Sequence, residues 1–142
     1  MSSLPTATKL SVLGRCGVFA RIPADALGVL AEMLQCETLQ PGELLFEQGE
    51  PSDRVCIVAQ GALSVLVAGK SAPVRILGPG DLLGEYGMFA GQLRTASARA
   101  EEPTTVLSLD YERFRSFLRQ FPEATLSLLA TAVGRLNEAE RS

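Results

Sequence analysis

The sequence predicts an antiparallel β-sandwich or barrel flanked by helices, and three observations point to this fold class. Between residues 37 and 110, short apolar stretches alternate with turn residues at close intervals, which suits antiparallel strands and not a βαβ sheet. On both sides of this region, apolar residues recur at helical spacing. A length of 142 residues, 46% of them hydrophobic, suits one domain with a proper core. We therefore divide a single domain, 1–142, into a helical region (1–35), a β region (36–110) and a C-terminal helical region (111–142).

The N-terminal region carries two helical patterns of unequal strength. Residues 10–19 form a weak pattern that Gly14 and Gly17 interrupt. A stronger pattern follows Pro23, a residue that suits a first helical turn. Its apolar members are Leu27, Leu30, Met33 and Leu34. This spacing predicts a helix over 23–35.

Turn residues divide the β region into short strands. The predicted strands are 38–40, 44–46, 55–59, 63–67 and 74–77. The intervening segments are rich in Gly, Pro, Asp and Ser, which are typical of turns and loops. The pair Gln60-Gly61 predicts a tight hairpin that joins strand 55–59 to strand 63–67.

Two helices are predicted after the β region. Asp110 suits the N-cap of a helix over 111–120, on which Phe114, Phe117 and Leu118 fall on one face. Pro122 restarts a helix with one apolar stripe. The members of this stripe are Leu126, Leu129, Val133 and Leu136. We expect most of the stripe to pack on something, either this domain or a second copy.

The composition excludes several functions. The chain has no histidine, which removes Ser-His-Asp triads, Cys-His pairs and histidine-ligated metals, so we predict no catalytic residue and no metal ligand. A net charge of −3 gives no basic surface for nucleic acid or membranes. No apolar run approaches the roughly 18 residues that span a bilayer, and the N-terminus lacks a secretory signal. We expect a cytoplasmic chain in which Cys16, Cys36 and Cys56 are buried thiols outside any disulfide.

One segment, residues 82–97, combines residue types that suit phosphate binding. Gly84 permits close approach of the backbone to a ligand. Residues 85–89 suit one short helical turn whose free backbone N–H groups can bind an anion. Gly87 has no side chain to screen one of these N–H groups from the anion. Arg94 can donate two parallel hydrogen bonds to phosphate oxygens, and Glu85 can accept one from a sugar hydroxyl. The residues alone leave a second interpretation open, which is a surface ion pair between Glu85 and Arg94.

The same segment resembles the phosphate-binding cassette of the cyclic-nucleotide-binding domain family, which includes catabolite activators and cyclic-nucleotide-gated channels. The cassette pattern corresponds here to Gly84-Glu85 and to Arg94-Thr95-Ala96-Ser97. Three further stretches, 46–53, 55–61 and 77–81, are similar to other motifs of the family and occur in the same order. The resemblance runs from about Phe19 to the C-terminus. It implies an antiparallel β-roll (a jelly-roll-like double-stranded β-helix) with N-terminal helices and two C-terminal helices.

The resemblance also implies a set of ligand-binding residues. They are Gly84, Glu85, Tyr86, Gly87, Arg94, Thr95, Ala96 and Arg135. Glu85 would accept from the ribose 2′-hydroxyl, and Arg94 would pair with the cyclic phosphate beside Thr95. Arg135 would cover the base when the last helix closes over the pocket. The implied ligand is cAMP or cGMP, with no other cofactor; Thr95 is similar to the threonine of members that bind cGMP. Two departures, Tyr86-Gly87-Met88-Phe89 and Leu93 in place of a frequent proline, leave these groups intact and imply an altered affinity.

The function implied is that of a regulatory sensor that binds a cyclic nucleotide and does no chemistry. Two alternatives stay open at this point. In the first alternative, the chain is a structural β-roll without ligand that only holds a partner. In the second, it is a regulatory fragment of a longer transcription factor, channel or hydrolase. We expect no DNA binding and no membrane insertion by this chain alone. An effector domain in a longer protein, or a homodimer through the C-terminal helix, would carry the output.

Overall fold

The alternation of apolar stretches and turns reflects strands that pair in two antiparallel layers. The computed structural model describes residues 4–19, 22–85, 87–88 and 93–141, and from 131 onwards it describes the helix backbone and only the side chain of Val133. Within these residues, eight strands form two four-stranded sheets. The strands are β1 (Gln35–Leu39), β2 (Leu44–Phe46), β3 (Arg54–Gln60), β4 (Leu63–Leu66), β5 (Arg75–Leu77), β6 (Leu82–Leu83), β7 (Ser97–Ala100) and β8 (Thr104–Asp110). The predicted class, an antiparallel β-roll with flanking helices, is confirmed.

Helices precede and follow the sheets. They are α1 (Thr6–Arg15), a 3₁₀ turn (Gly17–Phe19), α2 (Ala24–Met33), α3 (Tyr111–Gln120) and α4 (Pro122–Arg141). The prediction for the start of α3 is confirmed, because the Asp110 side chain accepts a 2.8 Å hydrogen bond from the Arg113 backbone N–H. No helix of the described residues is long and apolar enough to cross a membrane.

The prediction of a helix over 23–35 is wrong at its C-terminal end. Helix α2 ends at Met33, Leu34 is already extended, and Gln35 begins β1. The cause is long-range, because β1 pairs with β8 over its whole length, from Gln35 opposite Ser108 to Leu39 opposite Thr104. Gln35 therefore pairs with a residue 73 positions further along the chain, and this pairing overrides the local helical spacing.

The hairpin predicted at Gln60-Gly61 is also wrong. The first sheet has the order β1-β8-β3-β6 and the second has the order β2-β7-β4-β5, so β3 and β4 belong to different sheets. The turn at Gly61 carries the chain from one layer to the other. It is held by the β7–β8 loop, because the Ala62 carbonyl accepts a 3.0 Å hydrogen bond from the Glu101 N–H and the Ala62 N–H donates to Thr104 Oγ1 at 3.2 Å.

Strand β3 explains how one chain builds two cores. Its residues 55–59 are all buried, because both faces of the strand are covered. Val55 and Ile57 point to a core shared with the helices, in which the Phe19 ring lies edge-on to Phe114 at 6.3 Å. Cys56 and Val58 point to a second core between the two sheets. The strict alternation of side chains along a strand fixes this division.

The apolar stripe of α4 does not pack on this domain. Leu126 is 68% exposed, Leu129 60% and Val133 48%, whereas Ala124 and Leu128 form the buried face. Of the two possibilities left open for the stripe, packing on this domain is therefore excluded for these three residues. The side chain of Leu136 lies outside the description.

The cysteines divide in the same way between core and surface. Cys16 and Cys56 are buried as predicted, but Cys36 is only partly buried because its strand, β1, lies at the edge of the first sheet.

Candidate functional site

A cavity of about 190 Å³ opens between the two sheets, near the N-terminal end of β3. Walls come from β2, β4, β5 and β7 of the second sheet, and from β6 together with the segment that follows it. The lining residues are Phe46, Ser52, Val65, Arg75, Leu77, Leu82, Leu83, Gly84, Glu85, Gly87, Leu93, Arg94, Thr95, Ala96, Ser97 and Ala98.

Six of the eight residues predicted to bind ligand line this cavity. They are Gly84, Glu85, Gly87, Arg94, Thr95 and Ala96. Tyr86 lies outside the described residues, and so does the side chain of Arg135, whose backbone belongs to α4. Of the short helical turn predicted over 85–89, Gly87 and Met88 are helical, and 86 and 89 lie outside the description.

Arg94 is the most constrained charged group of the cavity. Its guanidinium carbon lies 4.0 Å from the centroid of the Phe46 ring, close enough for a cation–π contact. Its Nη2 donates to Asp53 Oδ1 at 3.3 Å and to the Arg54 carbonyl at 3.1 Å. The residue is only 5% exposed. Stacking and two hydrogen bonds thus hold the planar fork in one orientation at the cavity wall.

The hydrogen-bonding capacity of Arg94 is not fully used. Its buried Nε has no partner among the residues that the structure describes. The carboxylate of Asp53 is 68% exposed and touches the guanidinium through one oxygen only. Because a buried charge is costly unless it is paired and hydrogen-bonded, the cavity contains a cation that an incoming anion would stabilise.

Asp53 belongs to a chain of charges that continues away from the cavity. Besides Arg94 it contacts Arg54, whose guanidinium forms two hydrogen bonds with Glu37, at 2.8 Å and 3.0 Å. Burial works against the charge of Arg54, but the hydrogen bonds and the charge of Glu37 outweigh it and hold the pKa of Arg54 above its ordinary value. This bidentate pair fixes the first residue of β3, and with it the Arg54 carbonyl that Arg94 binds.

Gly84 is required by the position of Arg94. It has a φ of +88°, a conformation that residues with a Cβ rarely adopt. A Cβ at this position would lie 2.7 Å from Arg94 Nη1 and 2.8 Å from the Arg54 carbonyl oxygen. The glycine predicted from the cassette pattern therefore leaves the space in which the guanidinium lies.

Glu85 and Gly87 complete this side of the cavity. Glu85 is 5% exposed, so a surface ion pair with Arg94, the alternative left open by the residues alone, is wrong about the location of both groups. The Met88 N–H donates to the Glu85 carbonyl at 3.2 Å, which begins the helical turn. A Cβ on Gly87 would come within 2.6 Å of the Tyr111 hydroxyl, because this turn lies directly on the start of α3.

Sequence reasoning missed several residues that shape the site. Phe46, Ser52 and Asp53 lie in stretch 46–53, whose motif does not indicate a role for any of them. Tyr111 is indicated by the sequence only as the start of a helix. Arg75 lines the cavity from β5, at its exposed side. A signal for Arg75 exists in the sequence, because it interrupts an otherwise apolar strand and alternates with Ile76.

The geometry and the sequence define the same class of protein. Residues 36–121 match the family described as "Cyclic nucleotide-binding domain", which is more than half of the 142 residues. The chain belongs to the cyclic nucleotide-binding domain family.

Among curated proteins, the chain is 30% identical over 137 residues to the CRP-like cAMP-activated global transcriptional regulator of Mycobacterium tuberculosis, covering 92% of this chain and 60% of that protein. It is 27% identical over 114 residues to a cGMP-dependent protein kinase of Caenorhabditis briggsae, covering 77% of this chain and 15% of the kinase. The crystal structure of the Thermus thermophilus catabolite activator protein is similar with a TM-score of 0.81 at 27% identity, covering 87% of this chain and 60% of that one. The chain thus spans 60% or less of the length of these proteins.

Proposed function

We propose that this chain is a regulatory sensor that binds a cyclic nucleotide in the cavity between its sheets. The observation that carries the proposal is the buried Arg94 guanidinium, held at the cavity wall with an N–H that has no partner among the described residues. A cyclic phosphate would supply an acceptor for this N–H, and its two exocyclic oxygens suit a planar fork of donors.

The neighbouring groups fit the rest of such a ligand. Glu85 lines the same cavity and would accept a hydrogen bond from the ribose 2′-hydroxyl. Gly84 and Gly87 let the backbone approach the sugar and phosphate closely. Thr95 and Ala96 follow Arg94 along the wall and would place their backbone beside the phosphate. Closure of α4 over the base, with Arg135 as the covering residue, is the proposed response to binding.

The choice of base is proposed to depend on Arg75. Arg75 lines the cavity from β5. Arginine is a donor only, and it pairs in bidentate fashion with the O6 and N7 acceptors of guanine. Adenine presents an amino group, itself a donor, where guanine presents O6. Arg75, together with the Thr95 hydroxyl, should therefore favour cGMP over cAMP.

The test of the phosphate clamp is a calorimetric titration of the purified chain with cAMP and with cGMP. Wild type should bind, and Arg94→Gln should lose more than about tenfold in affinity for both, because the phosphate is left without its charged partner. Arg113→Gln is the matched control, since Arg113 is an exposed residue of α3 outside the cavity and should leave affinity unchanged. Unchanged affinity in Arg94→Gln, with circular dichroism showing a folded chain, contradicts the clamp.

The test of base selection is the ratio of the two affinities in Arg75→Gln. We expect this variant to lose affinity for cGMP by about fivefold and to leave cAMP nearly unaffected. Arg99→Gln is the control, because Arg99 lies on β7 of the same sheet, pairs with Glu101 and does not line the cavity. An equal loss of affinity for both nucleotides would show that Arg75 contributes a positive charge to binding but does not select the base.

The chain itself is proposed to do no chemistry, and its output requires a partner. The exposed stripe Leu126, Leu129 and Val133 on α4 is proposed to pair with the same stripe of a second copy, or with an effector segment of a longer protein. Sedimentation of wild type and of Leu129→Glu separates the two, since a homodimer should become monomeric in the variant. A chain that is monomeric in both forms favours the effector segment.

A ligand-free scaffold is the competing function. A thermal melt with each nucleotide distinguishes it from a sensor, because a ligand that binds only the folded state raises the melting temperature, and does so more as its concentration rises above its Kd. No shift with either nucleotide at millimolar concentration would favour the scaffold.

A further inference from the structure

The hydroxyl group of Tyr111 joins three segments of the chain at the back of the cavity. Tyr111 is the first residue of α3 and is buried. Its hydroxyl donates to the carbonyl oxygen of Gly84 and also lies within hydrogen-bond distance of the Ser52 hydroxyl. Gly84 and Ser52 both line the cavity, whereas Tyr111 does not. The tyrosine therefore touches the wall of the site from outside.

The direction of these hydrogen bonds follows from the number of protons. A tyrosine hydroxyl has one proton, and the Gly84 carbonyl can only accept. Tyr111 therefore donates to Gly84, and the Ser52 hydroxyl donates to Tyr111. Such a relay strengthens both hydrogen bonds, because the Tyr111 hydroxyl donates and accepts at once.

The bond to Gly84 has a consequence inside the cavity. In a trans peptide the C=O and the following N–H point in opposite directions within one plane. With the Gly84 carbonyl fixed on Tyr111, the Glu85 N–H is directed the opposite way within that plane, away from the Tyr111 hydroxyl. Gly84 has positive φ and no Cβ, so the local backbone alone leaves the peptide free to rotate. Tyr111 supplies the constraint that the glycine does not.

A second contact shows that α3 holds this segment at two points. The Arg115 Nη2 donates to the Met88 carbonyl at 3.1 Å. Tyr111 and Arg115 are four residues apart, which is about one turn of α3. Their partners, Gly84 and Met88, are also four residues apart in the sequence. The segment between Gly84 and Met88 is thus bracketed by one face of α3.

We infer that Tyr111 is a positioning residue for the nucleotide site, whose hydroxyl sets the orientation of the Gly84–Glu85 peptide from behind the cavity wall. This inference rests on the proposed function, because it assigns Tyr111 a role in the binding of the same ligand. It differs from a purely structural role, in which the hydroxyl would contribute to folding stability but not to affinity.

The variant Tyr111→Phe tests the inference, because it keeps the ring and removes only the hydroxyl. In calorimetric titrations of the full chain with cAMP and cGMP, we expect a loss of affinity of roughly five- to tenfold for both. Ser52→Ala should lose less, because the bond from Tyr111 to Gly84 remains. The double variant should lose no more than Tyr111→Phe alone, because Ser52 acts through Tyr111.

Thr104→Val is the control for loss of stability. Thr104 is a buried hydroxyl residue that bonds Ala62 and Glu102 and does not line the cavity. It should lower the melting temperature and leave affinity unchanged. A second measurement, amide hydrogen exchange by NMR, should show faster exchange at Gly87 and Met88 in Tyr111→Phe than in wild type.

Three outcomes overturn the inference, and they differ in what else they overturn. If Tyr111→Phe binds like wild type while Arg94→Gln loses binding, the sensor function stands and the role of Tyr111 is wrong. If Arg94→Gln also binds like wild type, the proposed function itself fails. If Thr104→Val and Tyr111→Phe lose equal affinity at equal loss of melting temperature, Tyr111 contributes stability only, and the inference is wrong.

Discussion

Each end of strand β3 lies beside a glycine with positive φ, and the two glycines have different surroundings. At one end, the tip (Gly61, Ala62, Pro103 and Thr104), Gly61 has a φ of +92° and lies against the Thr104 hydroxyl and the Pro103 carbonyl. At the other, the cassette end, Gly84 has a φ of +88° and lies against the Arg94 guanidinium and the Arg54 carbonyl. In both places a missing Cβ leaves room for a side chain that closes the turn.

The difference lies in what the closing side chain still needs. At the tip, the neutral Thr104 hydroxyl contacts the Ala62 and Glu102 carbonyls and accepts from the Ala62 N–H. At the cassette end, the charged Arg94 has a buried N–H without a partner among the described residues. The turn at the tip is closed by a neutral group whose hydrogen bonds are satisfied, so it has a structural role. The turn at the cassette end is closed by a charge that is incompletely paired, so it can bind an anion.

The largest effect on stability is expected for Gly61→Ala. Its Cβ would lie 2.6 Å from the Pro103 carbonyl oxygen and 2.8 Å from Thr104 Cα, which are backbone atoms that cannot move aside. We expect a loss of about 2–4 kcal/mol in the free energy of unfolding, measured by urea titration. Nucleotide affinity should stay within twofold of wild type. A tenfold loss of affinity would mean that the tip is coupled to the site, which would break the comparison.

Gly84→Ala should have a smaller effect on stability and a large effect on binding. One of the two close atoms is the end of the Arg94 side chain, which can shift at the expense of its place in the site. We expect about 1–3 kcal/mol of destabilisation and more than about a tenfold loss of affinity.

Gly69→Ala is the matched control for both glycine variants. It has a φ of +87°, and a Cβ added there would have no atom within 4 Å beyond its chain neighbours. The variant therefore isolates backbone strain, about 1 kcal/mol, from steric overlap. If Gly84→Ala loses no more than Gly69→Ala and binds normally, the space beside Gly84 has no function.

Phe46→Leu sharpens the comparison at the cassette end alone. The ring supports the guanidinium of Arg94 from 4.0 Å, a contact with no counterpart at the tip. Because leucine keeps the apolar packing but not the π face, affinity should fall about two- to fivefold in titration calorimetry. Phe121→Leu, on the helical side of the molecule, should change stability and not affinity. Equal affinity in wild type and Phe46→Leu would show that Asp53 and the Arg54 carbonyl suffice to hold Arg94.

The last effect is confined to alkaline pH and concerns Cys56, which lies on β3 opposite Leu83, close to the cassette end. Burial raises the pKa of its thiol to about 12, whereas the thiol of the unfolded chain titrates near its ordinary value of about 9. The unfolded chain therefore loses this proton first, so stability is intact below about pH 9 and falls as the pH rises from there towards 12.

At pH 10 the loss due to this thiol should be about 1 kcal/mol, measured by urea unfolding between pH 8 and 10. Cys56→Ala should be less stable at every pH but should lack this share of the decline. Parallel pH profiles for the two chains would show that the thiol is accessible in the folded protein.

Local signals in the sequence were sufficient where neighbours in the chain decide the structure. The start of α3 at Tyr111, its N-cap Asp110 and the buried face with Phe114 and Phe117 follow from spacing within a dozen residues. The cassette motif also named six residues that line one cavity, because that motif is itself a local stretch of chain.

Long-range pairing decided what the sequence could not. The turn at Gly61 looks like a hairpin, and only the partners β8 and β7 show that it joins two sheets. Asp53 and Arg94 are 41 residues apart, and Ser52 and Tyr111 are 59 apart, so no periodicity relates them. The spacing of the α4 stripe indicates an apolar face, but it does not say whether this domain or a second copy covers that face.

The position of the cavity between the layers has one more consequence. Its walls include Leu77 and Ala98 from the second sheet and Leu82 from the first, so any occupant touches both. A molecule bound there would hold the two sheets together, and the free energy of unfolding would increase with its concentration relative to its Kd. The lifetime of this domain against cellular proteases would then rise and fall with the supply of its ligand.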